Sequence, residues 1–197
     1  LLAAFQILLH RYTGQDDIVV GSPIANRNRI EIEGLIGFFV NTLVLRANFT
    51  GNPTFTALLA QVRETALDAY AHQDLPFEKL VEELRPERDL SRSPLFQAMF
   101  VFQNTPSRDV TLNRLDIRPM RIAGETTKFD LKLSVNEEAR RLRIGVKYDT
   151  NLFNADTIER MLGHFQNLLQ GIVSDPYQRI ADLSILTKVE RQQILFA

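Results

Sequence analysis

Residues 72–84, HQDLPFEKLVEEL, hold the side chains that most directly suggest acid–base chemistry. His72, Asp74 and Glu78 are residue types that exchange protons in enzyme sites. The i, i+2 spacing of His72 and Asp74 does not place the two side by side on a helix, which argues against a catalytic pair. Pro76 suits the first turn of a helix, and carboxylates are favoured at helix N-termini. A structural role at the start of a helix is therefore the competing interpretation.

Asn41 is the unusual residue in the apolar run at residues 36–46, IGFFVNTLVLR. The run predicts a buried strand. An amide inside such a strand must find hydrogen-bond partners, because an unpartnered buried amide costs free energy. The side chain could cap a neighbouring loop or face a cavity, and both interpretations stay open.

Residues 88–104, RDLSRSPLFQAMFVFQN, predict a charged turn that leads into a strand. Ser91 and Ser93 have no neighbouring base in the sequence, so a nucleophilic serine is poorly supported. The sequence contains no GxxxxGK[ST], GxGxxG, HExxH or GxSxG pattern. It has no cysteine and three scattered histidines, so neither a metal site nor thiolate chemistry is predicted.

Hydrophobic periodicity predicts the elements that position these residues. Helices are predicted over residues 1–12, 54–72 and 76–84, and from an N-cap at Asn154 to about residue 173. Strands are predicted at residues 18–24, 38–49, 95–103, 115–122, 128–136 and 142–148. We interpret residues 38–49 as a central strand, residues 25–34 as a polar loop, and the last two strands as a hairpin with one wet face. This order predicts an α+β sandwich, in which a mixed sheet is packed with helices.

The predicted helix over residues 54–72 has an apolar face. Its members are Phe55, Leu58, Leu59, Val62, Ala66, Leu67 and Tyr70.

Charge and hydropathy exclude two classes of partner. The sequence has 23 basic and 24 acidic residues, so there is no strong field of one sign to attract nucleic acid or an anionic membrane. No apolar run approaches the roughly 18 residues that a membrane span needs. The chain also opens inside a helical pattern, without an initiator Met or an N-cap, so we expect it to be a piece of a longer polypeptide.

Residues 36–46, 72–84 and 88–104 resemble, in order, three successive core motifs of condensation domains from nonribosomal peptide synthetases. The segments IVVGSPIANR (residues 18–27) and KFDLKLSV (residues 128–135) also resemble family segments. The likeness therefore covers nearly the whole chain.

VERQQIL, at residues 189–195, is similar to the linker that leads toward an adenylation domain. The resemblance implies that residues 1–186 are the C-terminal lobe of a condensation domain and residues 187–197 a linker. Each lobe of such a domain resembles chloramphenicol acetyltransferase, and a tunnel runs between the two lobes. The implied partners are an N-terminal lobe, donor and acceptor carrier proteins and a downstream adenylation domain, in the cytoplasm of a bacterium.

The resemblance also implies a mechanism. Carrier proteins deliver thioesters on phosphopantetheine arms, which are substrates rather than bound cofactors, and the acceptor amine attacks the donor thioester. The family's HHxxxDG motif is absent from this chain. We therefore expect the chain to shape a tunnel wall and to be inactive alone, with a crossover segment within residues 107–127. Orientation of tethered reactants can itself supply several kcal/mol of the barrier.

No catalytic residue is predicted in the chain. The motif residues expected either to line the tunnel or to support it structurally are Asn41, Arg46, His72, Gln73, Asp74, Arg88, Asp89 and Ser91.

Three alternatives remain open. The chain could be the matching lobe of an epimerisation domain, although the adenylation-type linker argues against this. It could be a non-catalytic piece that docks carrier proteins, or a small complete acyltransferase that uses His72 and Asp74. In isolation, an exposed apolar face should favour self-association.

Overall fold

A mixed five-stranded sheet organises the chain in a computed structural model that describes residues 1–87, 92–103, 127–138 and 141–196. The strand order is β2-β1-β3-β4-β5. The central pairs β1–β3 and β3–β4 are parallel, and the outer pairs β1–β2 and β4–β5 are antiparallel. This architecture confirms the predicted mixed sheet with helices packed on it.

The strands are β1 (Asp17–Ile24), β2 (Asn41–Asn48), β3 (Ala98–Gln103), β4 (Leu131–Glu138) and β5 (Arg141–Tyr148). The helices are α1 (Leu2–Thr13), α2 (Ile30–Glu33), α3 (Phe55–Ala71), α4 (Phe77–Leu84), α5 (Ala155–Ser174) and α6 (Lys188–Phe196), with a short 3-10 turn at Ile180–Asp182. None of the helices in the described part of the chain is long and apolar enough to cross a membrane.

Local signals set the ends of several elements. Gly14 takes a left-handed conformation with φ 69° after α1, which a residue without a Cβ adopts at low cost. Thr54 is the N-cap of α3, and its hydroxyl accepts a hydrogen bond from the Ala57 N–H at 3.3 Å. Asn154 is the N-cap of α5 by position, but its side chain makes no capping hydrogen bond.

The predicted hairpin is confirmed. β4 and β5 pair antiparallel in a register that runs from Leu131 opposite Tyr148 to Glu138 opposite Arg141. The alternating burial along β4 places Leu131, Leu133 and Val135 in the core. Along β5, half-buried and exposed residues alternate, so one face of the hairpin is more buried than the other, as the alternation predicts.

The prediction that β2 is a central strand is wrong. Within the described residues β2 pairs with β1 only, and it lies at the end of the sheet. The long apolar run suggested burial on both faces, but the strand begins at Asn41, and Phe38 and Val40 precede it as exposed residues. Only alternate residues of the strand are buried, among them Leu43 and Leu45.

Two other predictions differ from the structure. The predicted polar loop at residues 25–34 contains the short helix α2. The apolar face of α3 is only partly covered, because Leu58 and Val62 are buried whereas Leu59, Leu67 and Tyr70 are exposed. The outer part of this face faces solvent in the described chain.

The core lies between one face of the sheet and the helices α1, α3 and α5. Ile18 and Val20 of β1 point into it, against residues such as Phe5, Leu58 and Phe165. Successive side chains of a strand point to opposite faces. Gly21 therefore lies on the other face of the sheet.

Candidate functional site

Asn41 is the centre of a hydrogen-bonded junction at the start of β2. Its amide Nδ2 donates to the carbonyl oxygens of Gln73 and Leu75, each at 2.8 Å. Its Oδ1 accepts from the backbone N–H of Thr42 at 2.8 Å and of Phe77 at 3.1 Å. Both ends of the amide are thus used: the donor holds the turn between α3 and α4, and the acceptor serves Thr42 of its own strand and the first residue of α4.

This junction also caps a helix from a distance. The N-cap of α4 is Pro76, whose side chain cannot accept a hydrogen bond. The first N–H groups of a helix have no partner within the helix. Asn41 satisfies one of them, the N–H of Phe77, although it is 36 residues away in sequence. Asn41 therefore sets the position of α4 relative to the sheet.

Three aromatic rings lie in a row beside the hydrogen bonds of Asn41. The rings of Phe77 and Phe96 are 5.6 Å apart between centroids and are tilted, and those of Phe96 and Phe129 are 5.5 Å apart and stacked. Aromatic pairs at these separations attract each other beyond the burial of their surface. Phe96, the central ring, is only 2% exposed.

Gly21 makes room for the central ring. A Cβ built at this position would lie 2.2 Å from two atoms of the Phe96 ring, which no real contact tolerates. The glycine in IVVGSP is thus required by close packing of Phe96 on β1 rather than by backbone conformation.

Five segments that are far apart in sequence therefore meet at one place. Each of the segments that support the resemblance contributes one residue: Gly21, Asn41, Phe77, Phe96 and Phe129. We call this set the motif junction.

A cleft of about 300 Å³ opens beside the motif junction. Its polar lining consists of Asn26, Asn41, Thr42, Asp74 and Glu78, and aromatic rings, including that of Phe38, form much of the rest. The Oδ1 atom of Asn26 is buried there without a hydrogen-bond partner in the described structure. Such a cleft offers hydrogen-bond acceptors next to an apolar wall.

The structure brings some of the predicted motif residues to this cleft and leaves others apart. Asp74 lines the cleft, and Gln73 contributes its carbonyl oxygen to the bond with Asn41. His72 is the C-cap of α3, is exposed, and donates from Nδ1 to the Asp68 carbonyl at 2.9 Å. This bond ties the imidazole to its own helix.

Arg46 lies at the other end of β2, about 16 Å from Asn41 at roughly 3.3 Å per residue. Its guanidinium holds Asp17 of β1 through two hydrogen bonds of 2.7 Å. The hydrogen bond from Arg46 lowers the pKa of the Asp17 carboxyl. Both side chains are exposed, so this ion pair links β1 and β2 at the protein surface. Neither residue lines the cleft.

Arg88, Asp89 and Ser91 lie outside the described residues, as do the predicted strand at residues 115–122 and all of the predicted crossover except Thr127. Sequence reasoning did not single out Gly21, Phe77, Phe96 or Phe129. A glycine in a buried strand and a phenylalanine directly after Pro76 were the available signals, but neither indicates which residues touch.

Known proteins resemble this chain over almost its full length. The family model described as Condensation domain matches residues 1–195. A linear gramicidin synthase of Brevibacillus parabrevis is 55% identical over 197 residues, which is 99% of this chain and 4% of that protein. Gramicidin S synthase 2 of Brevibacillus brevis is 46% identical over 196 residues, again 4% of its length. The chain thus spans about one twenty-fifth of these relatives.

Solved structures agree with the fold. The X-domain from teicoplanin biosynthesis, in its complex with OxyB, superimposes with a TM-score of 0.84 at 29% identity, over 95% of this chain and 42% of that chain. A four-domain nonribosomal peptide synthetase bound to AMP and glycine superimposes with a TM-score of 0.81 at 25% identity, over 96% of this chain and 16% of that one. The resemblance that the motifs indicated is therefore confirmed.

Proposed function

Because the chain belongs to the condensation-domain family, we propose that it is one lobe of a domain that forms amide bonds between aminoacyl or peptidyl thioesters on carrier proteins. The observation that supports this best is the match of nearly the whole chain, at 55% and 46% identity, to two gramicidin synthases. A bacterial cytoplasmic synthetase is the setting that we propose for it.

The proposed role of the chain is to form one wall of the tunnel in which the thioesters meet. The matching X-domain chain is more than twice as long as the part aligned here, which supports the presence of a second lobe. Phe38 and Ile36, beside the cleft, are 91% and fully exposed, respectively, and are candidates to be covered by that lobe. Large exposed apolar side chains in one segment are typical of a surface that another unit covers.

The reaction needs orientation more than acid–base groups from this lobe. In the proposed step the acceptor amine attacks the donor thioester carbon, a C–N bond forms, and the C–S bond breaks to release the donor arm as a thiol. The amine loses one proton, for which the described residues of this lobe offer no histidine at the cleft. We propose that the other lobe supplies that base, and that the Asn41 cleft helps to hold an arm or the acceptor. Positioning alone can lower such a barrier by several kcal/mol.

A condensation assay read by mass spectrometry tests this proposal. Donor and acceptor carrier proteins loaded with aminoacyl-phosphopantetheine would be mixed with this chain alone, and with a complete domain that joins it to an N-terminal lobe. We expect dipeptide only with the complete domain. Dipeptide from the chain alone would contradict the two-lobe proposal, and His72 would then be the first residue to replace. Absence of product from both would contradict amide formation.

A docking role is the second candidate, and the teicoplanin X-domain supports it because that structural neighbour is seen bound to a second protein. Under this alternative the chain binds a carrier protein or another partner without catalysing a reaction. Titration with a loaded carrier protein tests it. Binding in the micromolar range without condensation by the complete domain would favour docking, and no detectable binding at high micromolar concentration would exclude docking of that carrier.

A further inference from the structure

The last helix, α6, is attached to the lobe through the carboxylate of Glu190. Both carboxylate oxygens lie 3.0 Å from Nε2 of His164, which is on α5 and only 6% exposed. A carboxylate can only accept, so Nε2 carries the proton of this bond. A buried imidazole on one helix thus holds an acidic side chain on another, 26 residues away.

The carboxylate is oriented by its own helix. Its Oε2 accepts from the backbone N–H of Thr187 at 2.8 Å and from the Thr187 hydroxyl at 2.6 Å, and the Glu190 N–H lies 3.2 Å from that hydroxyl. This is a capping box, T-x-x-E, at the start of α6. The bonds from Thr187 and then from His164 lower the pKa of Glu190 to about 2.

The imidazole is also oriented from its other side. The Tyr12 hydroxyl of α1 is 2.7 Å from Nδ1 of His164, and the two rings are 5.8 Å apart. In the tautomer that carries its proton on Nε2, Nδ1 accepts a hydrogen bond from the Tyr12 hydroxyl. Arg160 of α5 is the other charged group beside the Tyr12 hydroxyl. Three helices therefore meet here: α1 contributes Tyr12, α5 contributes His164, and α6 contributes Glu190.

The chain that leads to α6 is fixed separately. Nη1 of Arg11 donates to the carbonyl oxygens of Ile180, Ala181 and Leu183 at 3.0–3.1 Å. Ile180 and Leu183 are each only 1% exposed. This segment is packed into the core through contacts that do not involve Glu190.

Apolar side chains do little to hold helix α6 against the rest of the lobe. Val189, Ile194 and Leu195 are 63%, 68% and 64% exposed, so these side chains contribute little burial to hold the helix. The polar contact of Glu190 is the specific link between this helix and the lobe in the described structure. Its loss should therefore free α6 while the rest of the lobe stays folded.

We propose that Tyr12 and His164 form a docking site for the Glu190 carboxylate, and that this docking fixes the direction in which α6 leaves the lobe. Its importance rests on the proposed function and on the similarity of residues 189–195 to the linker that leads toward an adenylation domain. The three residues are positioning residues: they orient the next domain of a synthetase relative to the tunnel and do not touch the reacting atoms.

Hydrogen exchange measured by mass spectrometry on the intact protein tests the docking site. We expect His164→Ala to speed exchange in α6 by about tenfold or more, the effect of losing a hydrogen bond to a charged group. His164→Gln keeps an N–H donor near the position of Nε2 and should restore part of the protection. Tyr12→Phe removes one hydroxyl without loss of packing and should give a smaller increase. Glu159→Gln, a matched change at an exposed carboxylate of α5, should have no effect.

Two results would overturn the proposal. If Glu190 served only as a cap of its own helix, His164→Ala and Tyr12→Phe would leave exchange in α6 unchanged. If the attachment lay elsewhere, the increases in α6 exchange caused by His164→Ala and by Glu190→Gln would add in the double variant. A direct contact between the two residues predicts instead that the double variant exchanges no faster than the faster of the two single variants.

Failure of the docking site can be told apart from failure of the proposed function. Unchanged exchange in a complete synthetase that still makes dipeptide would refute the docking site alone. Absence of dipeptide from the unaltered synthetase would refute the proposed function and leave the exchange result valid.

Discussion

The Oδ1 atom of Asn41 accepts a hydrogen bond from the backbone N–H of Phe77 at 3.1 Å, across 36 residues of sequence. This one contact joins the start of β2 to the start of α4 and brings two of the family-like segments together. The opposite end of the same amide holds the carbonyl oxygens of Gln73 and Leu75. A side chain that both donates and accepts is needed here, which explains why an amide stands in an apolar segment.

We expect Asn41→Asp to destabilise the lobe as much as Asn41→Ala or more, by about 2–4 kcal/mol in the free energy of unfolding. Aspartate keeps the shape and the acceptor for Phe77, but it has no donor for the carbonyl oxygens of Gln73 and Leu75 and places a charge against them. Urea unfolding measures the difference. An aspartate variant as stable as the wild type would show that the two donated bonds contribute nothing.

Replacement of Gly21 by alanine should destabilise the lobe by about 1–3 kcal/mol, because the new Cβ overlaps the Phe96 ring. Phe96→Leu should cost stability alone, since it removes the central ring of the aromatic row. In the double variant the smaller leucine leaves room for the alanine, so the two costs should not add. A double-mutant cycle from denaturant unfolding measures this coupling. Strict additivity would contradict the proposed packing of Phe96 on Gly21.

His72→Ala should change the stability of the lobe little, because the imidazole is exposed and its bond to the Asp68 carbonyl is made at a helix end. In the complete domain we expect the rate of dipeptide formation to fall by less than about tenfold, an amount below the usual effect of removing a general acid or base. The same mass-spectrometric assay provides the measurement, with His10→Ala as the control at a distant imidazole. A fall of a hundredfold or more would identify His72 as a catalytic residue.

The attachment of α6 should weaken in acid. The hydrogen bonds from Thr187, and then the bond from His164, lower the pKa of Glu190 from 4.5 to about 2, so the capped and docked carboxylate binds the proton less readily than a free one does. The capping and docking bonds of Glu190 are therefore at full strength above about pH 4.5 and weaken together as the pH falls toward 2. Backbone amide NMR shifts of α6 can follow this change. Glu190→Gln cannot be protonated in this range and should remove the pH dependence at α6, while Glu159→Gln should leave it.

The chain in isolation should self-associate through the apolar segment before β2. Ile36 and Phe38 are exposed there, next to the cleft of the motif junction. Light scattering should show a mass above that of a monomer at high concentration, and Ile36→Ser with Phe38→Ser should reduce it. Leu59→Ser, a change at an exposed leucine on the outer face of α3, is the matched control. A monomer at all concentrations would contradict this prediction.

Local patterns in the sequence determined most of the elements. The helical spacing before Gly14, the Thr54 cap and the alternation in KFDLKLSV each depend on residues that are close in sequence, so α1, α3 and the β4–β5 hairpin could be predicted. The capping box at Thr187 and Glu190 is local in the same sense and could have been found from its T-x-x-E spacing. The motif series was sufficient to indicate the family.

Tertiary structure alone decided which residues meet. Strand order depends on pairing between distant segments, so the apolar run of β2 did not reveal that this strand lies at the end of the sheet formed by the described residues. Asn41 finds Phe77, Gly21 accommodates Phe96, and His164 receives Glu190 only after the chain has folded. Periodicity indicates which face of an element is apolar, but contacts between elements depend on packing geometry that no local pattern contains.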